Sequence, residues 1–312
     1  MILAAGLTPA WQHILRFDDL RLGQVNRAAE THLCASGKVC NVGIALAQLG
    51  AECRLLTPLG DEVMERAWQE LTSLEVQPAL INAQQPTRVC ATLIDSASGT
   101  VTELVENAQP LPPSCLTEFC HEYAKIARQA ELVVLSGSLP AETPVTFYRE
   151  LLAVTPGRVV LDARGPELLA ALECRPFVIK PNREELASTL GCKLGDESPL
   201  LSAMRELNDR GAQWVVITDG TRAVWVSSTE GIHRLQPLRV EHVINPIGCG
   251  DCLAAGLAWS LSQGHDVLQA VRIGIAAAAQ NAEQLLPGRI NPRQTLELAE
   301  KVDCQQVIGD KT

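Results

Sequence analysis

No stretch of this chain approaches the roughly 18 consecutive apolar residues that a membrane-crossing helix needs. Its start, Met1-Ile2-Leu3-Ala4-Ala5-Gly6-Leu7, lacks the charged head and long apolar core of a secretory leader. Positive charge is in deficit: 26 Lys and Arg stand against 36 Asp and Glu, a net charge of −10 at neutral pH, with the acids scattered rather than blocked. That balance argues against binding nucleic acid or an anionic membrane face through a general basic surface. It leaves room for a small phosphorylated ligand, because a local basic pocket fits inside an acidic protein. Repeats, low-complexity segments and linkers are missing. No G-x-G-x-x-G follows the first predicted strand or opens a helix elsewhere, which argues against a dinucleotide-binding oxidoreductase. Only one cysteine pair, Cys249 and Cys252, has C-x-x-C spacing, and without a second pair it does not make a zinc site.

What is present is a 312-residue chain, 46% apolar, with ample material for a large core. The 11 cysteines lie at irregular spacings, mostly in apolar segments, as reduced core thiols of a cytosolic protein do. Short apolar runs predict strands at 2–7, 52–57, 132–136, 159–162, 177–180 and 215–218. Helical patterns fall at 39–49, 62–73, 116–128, 144–153, 184–190, 199–210, 251–263 and 267–283. This alternation predicts βαβ units and a parallel sheet covered on both faces, with ligands gathering at the carboxyl ends of the strands. Two regions break the pattern. The segments 12–33 and 88–106 read as a small sheet standing off the body, the second as a hairpin turning at Asp95-Ser96-Ala97-Ser98-Gly99. Such a sheet serves as a lid over a site or as a surface for a partner.

The most informative stretch is Asn245-Pro246-Ile247-Gly248-Cys249-Gly250-Asp251, which runs straight into a long apolar helix. Free backbone amides and a carboxylate at the positive end of a helix dipole suit holding negative charge and removing a proton beside it. Phosphoryl transfer to a hydroxyl needs both. A glycine-rich turn capped by Asp251 is the plainer alternative. At Asn182-Arg183-Glu184-Glu185, an N-cap with a capping-box Glu explains the pattern locally. Lys180, just before it, either meets phosphate or closes its strand. A thiol at Cys249, beside a helix start, is expected to have a lowered pKa, and its oxidation would place bulk and charge within the turn.

An ordered set of motifs resembles the PfkB/ribokinase carbohydrate kinases, most of all the 1-phosphofructokinase and tagatose-6-phosphate kinase branch. The set comprises Thr8-Pro9-Ala10, Leu22-Gly23-Gln24-Val25-Asn26-Arg27, Gly37-Lys38 with Asn41-Val42, Leu135-Ser136-Gly137-Ser138-Leu139-Pro140, Lys180-Pro181-Asn182-Arg183-Glu184-Glu185-Leu186, and Gly248-Cys249-Gly250-Asp251. The resemblance implies an α/β fold, a ribokinase-like three-layer sandwich over 1–312, with a mostly parallel sheet and a β lid formed by about 12–34 and 87–107. It implies ATP, Mg2+ and transfer of the γ-phosphoryl group to a sugar hydroxyl, on a sugar phosphate of the fructose-1-phosphate or tagatose-6-phosphate type.

By the same resemblance Asp251 is the general base, and Gly248, Cys249 and Gly250 form the anion hole. Lys180, Asn182, Thr218, Gly220 and Asn281 face the nucleotide, and Glu185 holds magnesium through water. Gly37, Lys38 and Asn41 contact the sugar, with Gln12, Arg27, Arg88, Ser136 and Ser138 completing the acceptor side. For Asn281, an exposed helical amide is an equally good reading. The resemblance also implies a homodimer paired through the lids.

Three departures fall on the acceptor side. Thr8 and Gln12 stand where the branch has N-P-A-x-D, so a carboxylate that grips hydroxyls is replaced by an amide. Val39 stands in G-G-K-G where glycine is usual, and Asn245-Pro246 precedes the signature where Thr is common. They leave a second reading open, a non-catalytic sugar or nucleotide sensor on the same fold.

Overall fold

The computed structural model describes residues 1–307. Its strands are β1 (Ile2–Ala5), β2 (Ala10–Phe17), β3 (Glu30–Ser36), β4 (Cys53–Leu59), β5 (Gln77–Asn82), β6 (Val89–Asp95), β7 (Thr100–Val105), β8 (Leu132–Ser136), β9 (Arg158–Asp162), β10 (Val178–Ile179), β11 (Trp214–Ile217), β12 (Val224–Ser228), β13 (Gly231–Leu235) and β14 (Cys304–Val307). Its helices are α1 (Lys38–Gln48), α2 (Asp61–Ser73), α3 (Pro113–Ala127), α4 (Phe147–Ala153), α5 (Gly165–Ala171), α6 (Arg183–Leu190), α7 (Glu197–Asp209), α8 (Cys249–Ser262), α9 (Val267–Ala282) and α10 (Pro292–Ala299).

The large sheet runs β14-β13-β12-β11-β10-β9-β8-β1-β4-β5. From β5 to β11 every pairing is parallel, while β12, β13 and β14 add antiparallel strands at one edge. Because side chains alternate across a strand, Ile2 and Ala4 join one core with Val134, Val160 and Val216, packed under α1, α2, α8 and α9. Leu3 and Ala5 join the other with Val133, Leu161 and Ile217, under α3 to α7. Both faces are covered, which gives the three layers that continuous apolar strands require. On one face Gly256 of α8 stands against Gly274 of α9, a close approach that small residues permit.

The chain passes from β1 outward to β4 and β5, then returns to the other side of β1 at β8. This reversal opens a crevice at the carboxyl ends of β1 and β8, where open α/β sheets bind ligands. The lid is a second sheet of order β3-β2-β6-β7, with β2 and β6 parallel and the β6–β7 hairpin turning at Asp95–Gly99.

Sequence reading passes over β5 and the apolar run of β12 (VWVSS), while most other omitted elements have weak patterns. The strands β13 (GIHRL) and β14 (CQQV) carry adjacent polar pairs, His233-Arg234 and Gln305-Gln306, that interrupt a strand pattern, and α5 and α10 are short helices opened by Pro166 and Pro292. Helix α4 starts at Phe147 rather than at position 144, because Thr143 and Phe147 close turns onto Pro140 and Pro144. No helix among the described residues is long and apolar enough to cross a membrane.

Candidate active site

The crevice holds a cavity of about 440 Å³. Its floor comes from strand ends: Thr8 after β1, Gly137 and Ser138 after β8, Asp162 and Arg164 at β9, Lys180 after β10 and Thr218 after β11. The lid supplies Gln12, Arg88, Cys90, Glu103 and Val105. The starts of α1, α6 and α8 supply the rest, including Lys38, Asn41, Asn182, Glu185, Gly248, Gly250 and Asp251.

Helix α8 begins with Gly248 as N-cap at φ 86°, in the left-handed region where glycine carries no steric cost. A Cβ there would stand 2.8 Å from Pro287 Cβ. The Cys249 amide donates to Pro246 O (3.2 Å). Among the described residues, no carbonyl takes the amides of Gly248, Gly250 and Asp251, and no side chain caps the helix. The free amides therefore include Asp251 and exclude Cys249, a correction to the expected set. The Cys249 thiol is likewise absent from the cavity wall; it receives a hydrogen bond from Asn281 Nδ2 (3.4 Å).

Asp251 is 6% exposed and accepts a 2.7 Å hydrogen bond from Asn41 Nδ2. Burial pushes its pKa up to about 6, opposed by the Lys38 ammonium and assisted by the Asp162 carboxylate. Beside it lies a charged lattice that the sequence did not reveal. Asp162 pairs with Lys38 Nζ (3.1 Å) and with Lys180 Nζ (3.2 Å), while Lys38 Nζ also reaches Glu185 Oε1 (3.2 Å). Burial alone would raise the Asp162 pKa, but Lys180 and Lys38 hold it below the ordinary carboxylate value. Burial opposes the charge of Lys38, yet Asp162, Glu185 and Asp251 outweigh it and raise its pKa. Around the cavity, Lys38, Arg88, Arg164 and Lys180 face Glu103, Asp162, Glu185 and Asp251.

Asn182 and Glu185 form the capping box of α6: Glu185 N donates to Asn182 Oδ1 (2.8 Å) and Asn182 N to Glu185 Oε2 (2.9 Å). Gly37 has φ 87°, and a Cβ on it would stand 2.8 Å from Thr8 O. The special backbone geometry thus falls at Gly37. Val39 is an ordinary buried residue of α1, so its departure from glycine carries no backbone strain. Gln12 is buried and donates to Thr92 Oγ1 (2.7 Å). Arg88 is held at the rim by Pro9 O (3.0 Å) and Thr8 O (2.9 Å).

Four other predicted residues lie apart. Arg27 is exposed in the β2–β3 connection, and Gly220 is exposed in a turn; neither lines the cavity. Ser136 is fully buried behind the wall, where its Oγ has no partner. Asn281 is neither exposed nor on the cavity wall, but buried behind the α8 turn. Asp162, Arg164 and Glu103 are the additions. An Asp at the carboxyl end of a predicted parallel strand was a usable signal for the first; the other two had none.

Among the described residues all 11 cysteines are free, and no cluster of three metal-ligating side chains forms. Burial raises the thiol pKa of Cys249 and raises that of Cys252 well above its ordinary value. The expected lowering at Cys249 is thus reversed: desolvation, with the Asp251 carboxylate, outweighs the hydrogen bond from Asn281. Native protein treated with iodoacetamide at neutral pH is expected to be labelled first at exposed Cys192, with Cys249 and Cys252 protected. Peptide mapping that found Cys249 among the early sites would overturn this.

The comparisons agree with the geometry. Residues 6–293 match the model for pfkB family carbohydrate kinase. A protein of Thermotoga maritima described as a possible 1-phosphofructokinase superposes with TM-score 0.89 at 21% identity, covering 98% of this chain and 99% of its own. Phosphofructokinase-2 from Escherichia coli, solved with substrates and products, gives 0.86 at 23% identity over 95% and 98%. Ribokinase from Thermotoga maritima gives 0.76 at 17% identity over 96% and 99%. These likenesses establish the ribokinase-like fold, and the family match over most of the chain establishes membership: the protein belongs to the pfkB family of carbohydrate kinases and is an ATP-dependent sugar kinase.

Proposed function

We propose that this kinase phosphorylates a hydroxyl of a sugar phosphate of the fructose-1-phosphate or tagatose-6-phosphate type, with Asp251 as general base. The observation that carries the proposal is the start of α8, where a buried carboxylate held by Asn41 stands beside amides that have no acceptor. Asp251 takes the proton as the acceptor oxygen bonds to the γ-phosphorus. The bond from that phosphorus to the bridging oxygen breaks, and its electron pair leaves with ADP. The amides of Gly248, Gly250 and Asp251 form an anion hole aimed at the charge that develops on the transferring group. Lys180, whose Nζ lies 3.7 Å from the Cβ position of Gly250, adds a fixed positive charge beside them.

On the acceptor side, Lys38 and Arg88 meet the phosphate that the sugar already carries. Gln12, Asn41 and Ser138 offer hydrogen bonds to hydroxyls, and Gln12 does so without the charge of an Asp. Magnesium fits through water: both Glu185 oxygens already have partners, and the Asp162 Oδ2 has a charge partner but no hydrogen bond. Asp162, Asn182 and Glu185 would hold its hydration shell, and the ion would screen the triphosphate. Exposed Leu33, Val89 and Leu104 on the lid face turned from the cavity support pairing of two copies through their lids.

A coupled ADP-release screen over phosphorylated and free hexoses, pentoses and nucleosides tests the proposal. Phosphorylated ketohexoses are expected to give the highest kcat/KM. A free sugar or nucleoside in first place would remove the phosphate-bearing acceptor, and no ADP release with any of them would favour a sensor.

The pH dependence has a defined sign. Only ionised Asp251 accepts a proton, and its pKa is raised to about 6. As the pH falls below that value, kcat/KM is expected to drop about tenfold per unit. A profile flat to about pH 4.5 would place the base elsewhere.

A further inference from the structure

Asn281 is the residue that the family resemblance places against the nucleotide, yet it is 1% exposed and every hydrogen-bonding position of its amide is filled. Its Nδ2 donates to Ile247 O (2.9 Å) and to Cys249 Sγ (3.4 Å). Its Oδ1 accepts from Gly288 N (2.8 Å) and from Cys252 Sγ (3.3 Å). An amide has two donor hydrogens and two acceptor lone pairs, so nothing remains for an adenine or a ribose. The residues it grips flank Gly248 on both sides.

A second buried amide completes the hold. Asn245, also 1% exposed, accepts from Ile247 N (3.0 Å) through Oδ1 and donates to Leu285 O (2.9 Å) through Nδ2. Ile247 is therefore fixed at its N–H by one asparagine and at its carbonyl by the other. The C-x-x-C spacing also acquires a reason. Positions three apart share a helix face, and both thiols meet the one amide of Asn281, Cys252 buried and Cys249 half-buried.

We infer that Asn281 is a positioning residue of the anion hole, holding Ile247 and Cys249 so that the amides of Gly248, Gly250 and Asp251 point at the transferring group. The inference rests on the anion-hole reading given above. Gly248, left-handed at the centre of the turn, has no side chain to cap the helix; Asn245 fixes the turn from within and Asn281, at the end of α9, from behind. Donors aimed in advance at developing charge raise turnover rather than ground-state affinity, which separates this role from nucleotide contact.

The test uses the intact chain and the variants Asn281→Asp and Asn281→Ala, with ADP alone and ADP plus aluminium fluoride as probes. The carboxylate of Asn281→Asp would set an acceptor against Ile247 O and Cys249 Sγ, which are themselves acceptors. Both variants are expected to bind ADP within about threefold of the parent and to keep their KM for ATP, while kcat falls about 10²-fold. The extra affinity that aluminium fluoride confers on ADP should fall by the same factor. ADP affinity lost in step with kcat, with the aluminium fluoride gain intact, would place Asn281 in the nucleotide pocket and overturn the inference. Should Asn281→Asp not fold, Asn281→Ala carries the comparison. Should neither fold, Cys249→Ala, which removes the sulfur that accepts one Asn281 Nδ2 hydrogen bond and leaves the amide, is expected to lose a smaller part of kcat and of the aluminium fluoride gain together; unchanged values would overturn the inference. The underlying reading fails separately: an unmodified chain that gains no affinity for ADP from aluminium fluoride has no anion hole at this turn, and the positioning role falls with it.

Discussion

Asp251→Asn is expected to bind ATP within about twofold of the parent and to turn over about 10²–10⁴-fold more slowly. The substitution is nearly isosteric. The introduced amide would keep an oxygen for the hydrogen bond that Asn41 Nδ2 now gives to Asp251 Oδ2 (2.7 Å), so the start of α8 should keep its shape. What disappears is a site that can take a proton. The Asp251 carboxyl is suited to that task because burial raises its pKa to about 6, which makes it a better base at neutral pH than an ordinary carboxylate while leaving it ionised. Single-turnover measurement under saturating ATP separates the effect on the chemical step from any effect on binding. Near-normal turnover would remove Asp251 as the base, whatever its position.

The second large effect is expected on stability. Asp162 and Lys180 are 1% and 3% exposed and lie 3.2 Å apart. Removing the carboxylate in Asp162→Ala leaves an ammonium group buried without its counter-charge, which typically costs about 3–5 kcal/mol. Lys38, 35% exposed, can turn toward solvent and should contribute little to the loss. The pH dependence follows from the lowered pKa of Asp162 in the folded state. A group so lowered contributes stability in full above its unfolded pKa, about 4, and loses it as the pH falls through the folded value. The difference between parent and variant in urea-unfolding free energy should therefore be widest near neutral pH and close in acid. Equal unfolding at neutral pH would mean that Lys180 finds water or another partner without structural cost.

Several features of the site were readable before any coordinates because they are local. The capping box at Asn182 and Glu185 is a contact between residues three apart. The glycine at position 248 and the acid that follows it mark a helix start whose amides have nowhere else to go. The hairpin of β6 and β7 turns at the five residues whose composition predicts it. The alternation of apolar strands and helices forecast a parallel sheet, and the sheet forecast where ligands gather.

Other features depended on distance along the chain. Lys38 and Asp162 are 124 positions apart, and Asn41 and Asp251 are 210 apart. No periodicity links such residues; the crossovers of a parallel sheet bring them together. Orientation was the other gap. Helix α9 is buried on nearly all sides, so its pattern does not tell which face Asn281 takes. The same holds at Cys249, where a plausible anion-hole donor turned out to spend its amide on Pro246 O. Arg27 shows the reverse case: a motif residue that the fold leaves exposed, away from the cavity.

By itself, then, the amino-acid order determined the alternation of strands and helices, the glycine turn with its acid and the cap of α6, since each arises from neighbours within a few residues. Only tertiary structure decided that Asp162 sits between two lysines, that Asn281 is bonded to the back of the α8 turn, and that Cys249 lies off the cavity wall. The physical reason is that burial and charge pairing are set by which strand ends converge, and that convergence belongs to the sheet as a whole.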